Sequence, residues 1–187
     1  MKRLIILVFV LGSMQLLAQI NPEYISPVKV GSMNLQTGKV YYQNSFNGTA
    51  DIQRLAEKFK SKEQVFSVFN INSITSTEIK GSITNFQLNI DQYGVNRKKL
   101  ISFLTHPLNA VFNIEVVDGR SRVTVSHIWF KNLPGEKSRE NHNLEGLVTS
   151  KNATVFNKDK KNLKSITVIE KNLNELFTAV TGSGVGF

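Results

Sequence analysis

Residues 109–131 constrain the fold more than any other stretch of the chain. They run Asn-Ala-Val-Phe-Asn-Ile-Glu-Val-Val, then Asp118-Gly119, then Arg-Ser-Arg-Val-Thr-Val-Ser-His-Ile-Trp-Phe-Lys. Both arms are rich in Val, Ile, Phe, Thr and Trp, side chains that suit a pleated, half-buried surface. Asp-Gly between such arms signals a two-residue type I′ turn, in which both central residues need positive φ. The spacing predicts a long β-hairpin, with Val125, His127 and Trp129 on one face by simple alternation.

The flanking sequence supplies further strands and two helices. Val40, Tyr42 and Phe46 mark one face of a strand over 38–46. Ile52, Leu55, Ala56 and Phe59 then recur at the spacing of a buried helix face, predicting a helix over 49–62 with Thr49 as N-cap. Strands are expected over 65–72 and 77–92, with Gly81 as a candidate bulge. Residues 96–105 suit either a short helix or an irregular connection that His106-Pro107 closes. Residues 132–158 are polar and turn-rich and predict a long surface loop. From Leu163 to Val180, Ile166, Ile169, Leu173, Leu176 and Phe177 hold a helical period, and Gly182 stops it. Strands grouped between helices make this an α+β chain: an antiparallel β-sheet with two helices packed on one face.

The N-terminus speaks to compartment. Lys2 and Arg3 precede an unbroken apolar run over 4–11, and Ala18 and Gln19 offer a cleavage point. This is the build of a secretory signal peptide over 1–19, too short for a transmembrane anchor of about 20 apolar residues. An extended arm is expected over 20–37, where Pro22, Pro27 and Gly31 interrupt any period, and a single domain over 38–187. The chain has 187 residues and no cysteine, which excludes a disulfide framework, a thiolate metal site, a cysteine nucleophile and a lipidated N-terminal Cys. The expectation is an exported protein, periplasmic or at the cell surface, with no transmembrane segment after cleavage.

The formal charge is +9, and losing Lys2 and Arg3 leaves +7. Such a balance favours acidic partners: an anionic envelope component, or another protein with an acidic face. Export makes nucleic acid the least expected of them. Plain solubility charge explains the same number.

An exported chain with a strand–helix start and a hairpin at Val116-Val117-Asp118-Gly119-Arg120-Ser121-Arg122-Val123 resembles one family. It is a domain of unknown function (family 4468) common in exported Bacteroidetes proteins, with a fold like that of the TATA-binding protein. The resemblance covers about 40–131 and rests on Asp118-Gly119-Arg120, on Arg122 and on Gly81. The loop after Lys131 and the last helix depart from the simplest family pattern. The resemblance implies a TATA-binding-protein-like α+β sheet with helices on one side. It implies no activity and no DNA binding, because function resides in sites and not in folds.

Chemistry is sparse. His106, His127 and His142 lack metal-ligand spacing, no nucleophile elbow or phosphate loop occurs, and no catalytic residue or cofactor is expected. Asp91, Glu115 and Asp118 are the carboxylates to weigh as an acid pair, the last two flanking a turn where solvated carboxylates are ordinary. Two binding features stand out. Arg120 and Arg122 share a strand face and, with Lys131 and the basic run Lys158-Asp159-Lys160-Lys161, suggest a cationic surface. Charge that protects a hairpin edge from pairing is the equal alternative. Trp129 and Phe130 point to opposite faces, so one of them is a candidate contact residue; burial of both, one under each covering layer of helix or arm, is the commoner arrangement. The sequence therefore suggests a non-enzymatic envelope module binding a ligand or partner through Arg120, Arg122, Trp129 and Lys131. A small envelope hydrolase with an unrecognised site is the alternative.

Overall fold

The structure, a computed structural model, describes residues 25–26, 28–60, 67–131 and 141–182. The expected signal peptide, and Leu133-Pro134-Gly135 within the expected loop, lie outside these residues. The strands are β1 (Ile25–Ser26), β2 (Lys29–Val30), β3 (Met33–Gln36), β4 (Lys39–Phe46), β5 (Phe69–Ile74), β6 (Glu78–Phe86), β7 (Leu108–Val117) and β8 (Arg120–Phe130), followed by β9 (His142–Asn143), β10 (Thr149–Ser150) and β11 (Val155–Phe156). The helices are α1 (Ile52–Lys60), α2 (Leu144–Val148) and α3 (Lys160–Thr181).

One antiparallel sheet runs in the order β1-β2-β3-β4-β8-β7-β6-β5, and β9 pairs with the end of β8. After β4 the chain crosses through α1 to the far edge at β5. It then meanders back so that β8 lands against β4. This is the α+β architecture expected, an antiparallel sheet with helices laid on it.

The β7–β8 hairpin carries the turn its sequence demands: Asp118 has φ 51° and Gly119 φ 71°. Register runs from Val117 opposite Arg120 to Glu115 opposite Arg122 and onward. Simple alternation then fails at one place. Val111 pairs with Ser126 but Asn109 pairs with Trp129, so β8 carries an extra residue between them. His127 absorbs it with φ 50°. A bulge of this kind inverts the faces beyond it. Val125 is buried, His127 is exposed, Ile128 and Phe130 are buried, and Trp129 is half-buried on the opposite side from Val125. The expected sharing of one face by Val125, His127 and Trp129 is thus corrected by the bulge.

Gly81 is needed for a different reason from the one its position suggested. The register shift of the β5–β6 pair lies on β5, between Ile71 and Ser73. Gly81 instead makes room: a Cβ there would stand 2.7 Å from the Phe112 ring and against the Asn70 carbonyl oxygen. The N-cap of α1 is Asp51, not Thr49. The Asp51 carboxylate accepts from the amides of Gln53 (2.8 Å) and Arg54 (3.3 Å). The Thr49 amide donates instead to the Thr181 carbonyl at 2.7 Å, closing the start of α1 onto the end of α3.

Two segments expected to be peripheral belong to the folded body. Of the residues expected as an arm, those described join the sheet: β2 and β3 extend it and bury Val30, Met33 and Leu35. The expected loop over 132–158 contains α2 and the β10–β11 hairpin and buries Leu144, Val148 and Phe156. Their spacing is too sparse to register as a periodic element, yet each removes an apolar side chain from water, worth about 1.5–3 kcal/mol.

α3 is the main cover of the sheet. Ile166, Ile169, Leu173, Phe177 and Val180 are fully buried along one stripe. Asp159 caps its start by accepting from the Lys161 amide (3.1 Å), and Gly182 closes it with φ 67°. The Phe177 ring meets Phe112 at 5.8 Å and Phe69 at 5.6 Å between centroids, tying α3 to β7 and β5. Beside them the buried Tyr42 hydroxyl donates to Asn174 Oδ1 at 2.6 Å.

Candidate functional site

A concavity lies along the outer side of α3. Residues 87–105 follow the helix and are braced to it at three points. The Ile101 amide donates to Ser165 Oγ (3.0 Å), the Asn89 amide to Asn172 Oδ1 (2.8 Å), and Gln92 Nε2 to Glu175 Oε1 (3.1 Å). Between the braces, residues 93–99 stand off and leave a cleft of about 660 Å³. Gly94 turns this wall in the left-handed region (φ 60°), and Asn96 caps the next turn by accepting from the Lys98 amide. Arg97 Nε donates to Asp91 Oδ1 at 2.9 Å, and this bond holds the Asp91 carboxyl below its usual range.

The opposite wall is the β2–β3 turn. Glu170 Oε1 accepts from the Ser32 amide at 2.7 Å, which pins the turn to α3. Gly31 sits in the left-handed region (φ 57°), and a Cβ there would collide with the Glu170 carboxylate. Only glycine allows this close approach of strand turn and helix.

The floor is apolar: Val30, Val95, Leu163, Val168 and the ring of Tyr93. The rim is cationic. Lys160, Lys164 and Lys171 line it from α3, and Lys99 from the facing wall. Spacings of four and seven keep the three helix lysines on one stripe. The only carboxylate lining the cleft is that of Glu170, already engaged with Ser32. Lys171 Nζ lies 5.2 Å from the centre of the Tyr93 ring, a cation–π approach. Burial, and then the neighbouring Glu175 carboxylate, push the Tyr93 phenol pKa up, so the hydroxyl stays a donor. That oxygen is shielded and forms no hydrogen bond of good geometry.

The four residues expected to bind do not form one site. Arg120 and Lys131 stand eleven positions apart along β8 and just beyond it, about 35 Å at the usual rise per residue. Arg120 is exposed beside the turn, and Arg122 is paired across the hairpin with Glu115, Nη2 to Oε2 at 2.8 Å. Lys131 is exposed at the far end, and Trp129 lies between Asn109 and Asn143 on the side away from the α3 stripe. The run Lys158-Asp159-Lys160-Lys161 is also distant from the turn. Ser121 Oγ donates to the Thr49 carbonyl, and Thr49 in turn bonds Thr181. The turn therefore adjoins the C-terminal end of α3, and the run begins the same 22-residue helix about 33 Å away.

Other candidate groups have structural partners. Of the carboxylates weighed as an acid pair, Asp91 is held by Arg97 and Glu115 by Arg122. The His106 and His142 rings approach to 6.1 Å, and His106 Nδ1 lies 3.1 Å from the Lys131 carbonyl. Among the described residues no group of three His, Asp or Glu converges as a metal site would require. A smaller cleft of about 350 Å³ lies at the bulge, where His127 meets Tyr41, Thr124 and Glu145.

The cleft beside α3 did not stand out in the sequence. Its signal was present as Lys160, Lys164 and Lys171 next to Leu163 and Val168. Lys99 and Tyr93 join them only through the fold of 87–105, which carries no periodic pattern.

No family model matches the chain, and no curated protein matches it. Solved structures do. A TBP-like protein from Parabacteroides distasonis is 18% identical with a TM-score of 0.50, the match covering 78% of this chain and 95% of that one. A DUF4468 family protein from Bacteroides ovatus is 15% identical with a TM-score of 0.52, covering 87% of this chain and 95% of the other. The resemblance drawn from the hairpin is thus met at the level of architecture: this chain shares the fold of a TBP-like protein and of a DUF4468 family protein, both from Bacteroidetes.

Proposed function

We propose that the protein is an exported, non-enzymatic envelope module that binds an anionic ligand or partner in the cleft beside α3. The observation that carries this reading is a cationic rim over a preformed floor: Lys99, Lys160, Lys164 and Lys171 around one carboxylate that is already bonded. Preformed apolar concavities with a few convergent polar groups are the usual form of ligand sites. Lysines on such a rim focus field on an incoming anion more than lysines on a convex surface do. Export rests on Lys2, Arg3 and the apolar run over 4–11.

The test is binding of anionic envelope material by the mature chain beginning at Ile20. Vesicles containing phosphatidylglycerol and soluble polygalacturonate serve as probes at low and high salt. Saturable, salt-sensitive binding to either probe is expected, weakened by Lys164→Glu with Lys171→Glu and unaffected by Arg120→Glu. Binding that tracks Arg120 instead, or none at all, rejects the reading. Cell fractionation that recovers the protein in the cytosol removes its exported half.

A further inference from the structure

We infer that the cleft beside α3 takes a single-chain amphiphile, its alkyl chain on the apolar floor and its carboxylate or phosphate head among the lysines. This rests on the binding role proposed above and names the ligand class. The argument lies in what the lining can and cannot offer.

A hydroxyl-rich ligand needs free donors and acceptors along its length. The cleft has few, because its polar groups are already engaged. Thr167 Oγ1 donates to the Leu163 carbonyl at 2.9 Å, Glu170 accepts from Ser32, and Asn96 accepts from Lys98. A sugar chain laid here would lose water and leave hydroxyls unpaired, which costs free energy. An alkyl chain loses nothing on the same floor and gains from burial. The lysine stems extend that apolar surface while their ammonium groups stay at the rim.

The head-group end follows from charge. Lys99 faces Lys164 and Lys171 across the opening, so an anion there is approached from both walls. The Tyr93 hydroxyl is shielded and has the Glu175 carboxylate as its neighbour. An oxyanion here would sit against Lys171, whose ammonium already lies over the Tyr93 ring. The volume of about 660 Å³ is within the range of sites that enclose small ligands.

The test uses the mature chain and the fluorescent fatty acid cis-parinarate. One saturable site is expected, displaced by palmitate and not by methyl palmitate or inorganic phosphate. Lys164→Ala with Lys171→Ala should weaken it about tenfold, the worth of a charged hydrogen bond lost. Thr167→Trp, which fills the cleft from a half-buried position and leaves all four lysines in the chain, should abolish it. Displacement by methyl palmitate or by phosphate alone overturns the inference, because one half of the ligand would then suffice. So does parinarate binding that neither variant weakens. Polygalacturonate binding without parinarate binding sinks this inference and leaves the anion-binding role standing. Failure of every anionic probe sinks both.

Discussion

The hairpin tip and the cleft beside α3 both carry basic residues, in opposite settings. At the tip, Arg122 lies across from Glu115 and bonds it, while Arg120 points into solvent beside an open turn. Neither of them lines either of the two clefts. In the cleft, lysines from two elements face one another over an apolar floor, and the one carboxylate is occupied by a backbone amide. β8 is paired on both sides, by β4 and by β7, so the expected protection of a hairpin edge does not apply, and charge on this convex tip mainly aids solubility. The same charge on a concave rim can focus on a ligand. Counting Lys and Arg along the sequence cannot separate these cases.

The comparison can be broken most severely through the core that the two regions share. Phe112 belongs to the hairpin and Phe177 to the helix that carries the cleft, and their rings meet at 5.8 Å. Phe177→Ala and Phe112→Ala should each cost about 3–5 kcal/mol in urea denaturation. Because the side chains touch, the double variant should cost clearly less than the sum. Strict additivity would mean that hairpin and helix are stabilised independently, and the two regions would then not be two faces of one body.

A smaller effect separates them by geometry. Gly31 and Gly119 both have positive φ, at 57° and 71°. Gly119 has open space where a Cβ would go, whereas Gly31 has the Glu170 carboxylate. Gly119→Ala should cost only the left-handed penalty, about 1–2 kcal/mol, and leave parinarate binding unchanged. Gly31→Ala also makes the Glu170 carboxylate swing aside and give up its bond to the Ser32 amide, a further loss of about 1–3 kcal/mol that frees the β2–β3 turn from α3. It should therefore weaken the probe as well as the fold. Equal melting losses with equal affinities would show that the turn is not a wall of the site.

What was legible in the sequence follows the same division. The hairpin could be read because its determinants are local: Asp118-Gly119 fixes a turn, and alternation fixes two faces until a bulge intervenes. That bulge was not legible, since His127 takes φ 50° in a strand whose composition gives no warning. α3 was legible in its buried stripe and its glycine stop. β2 and β3 are not legible because they are two and four residues long, too short to display a period. α2 was missed for the same reason, with Leu144 and Val148 its only buried positions. The cleft was hidden most deeply of all. It depends on Lys99 and Tyr93 reaching the lysine stripe of α3 through a segment held by single hydrogen bonds to Ser165, Asn172 and Glu175. Such long-range pairings leave no periodic trace.

The mildest change bears most directly on the original reading of the charged hairpin. Arg122 Nε and Nη2 both donate to Glu115 Oε2, at 3.0 and 2.8 Å, between two side chains still a third or more exposed (42% and 33%). Exposed pairs of this kind contribute about 0.2–1 kcal/mol and are screened by salt. Arg122→Ala should thus lower stability by no more than that, with the loss shrinking as salt is raised, and should leave parinarate affinity unchanged. Glu115→Ala is the sharper partner experiment, because it frees Arg122 and adds a net positive charge at the tip. If a cationic hairpin surface were the binding site, Glu115→Ala would tighten an anionic probe and Arg122→Ala would loosen it. If the pair only bridges two strands, both variants lose the same small stability and neither moves the binding curve.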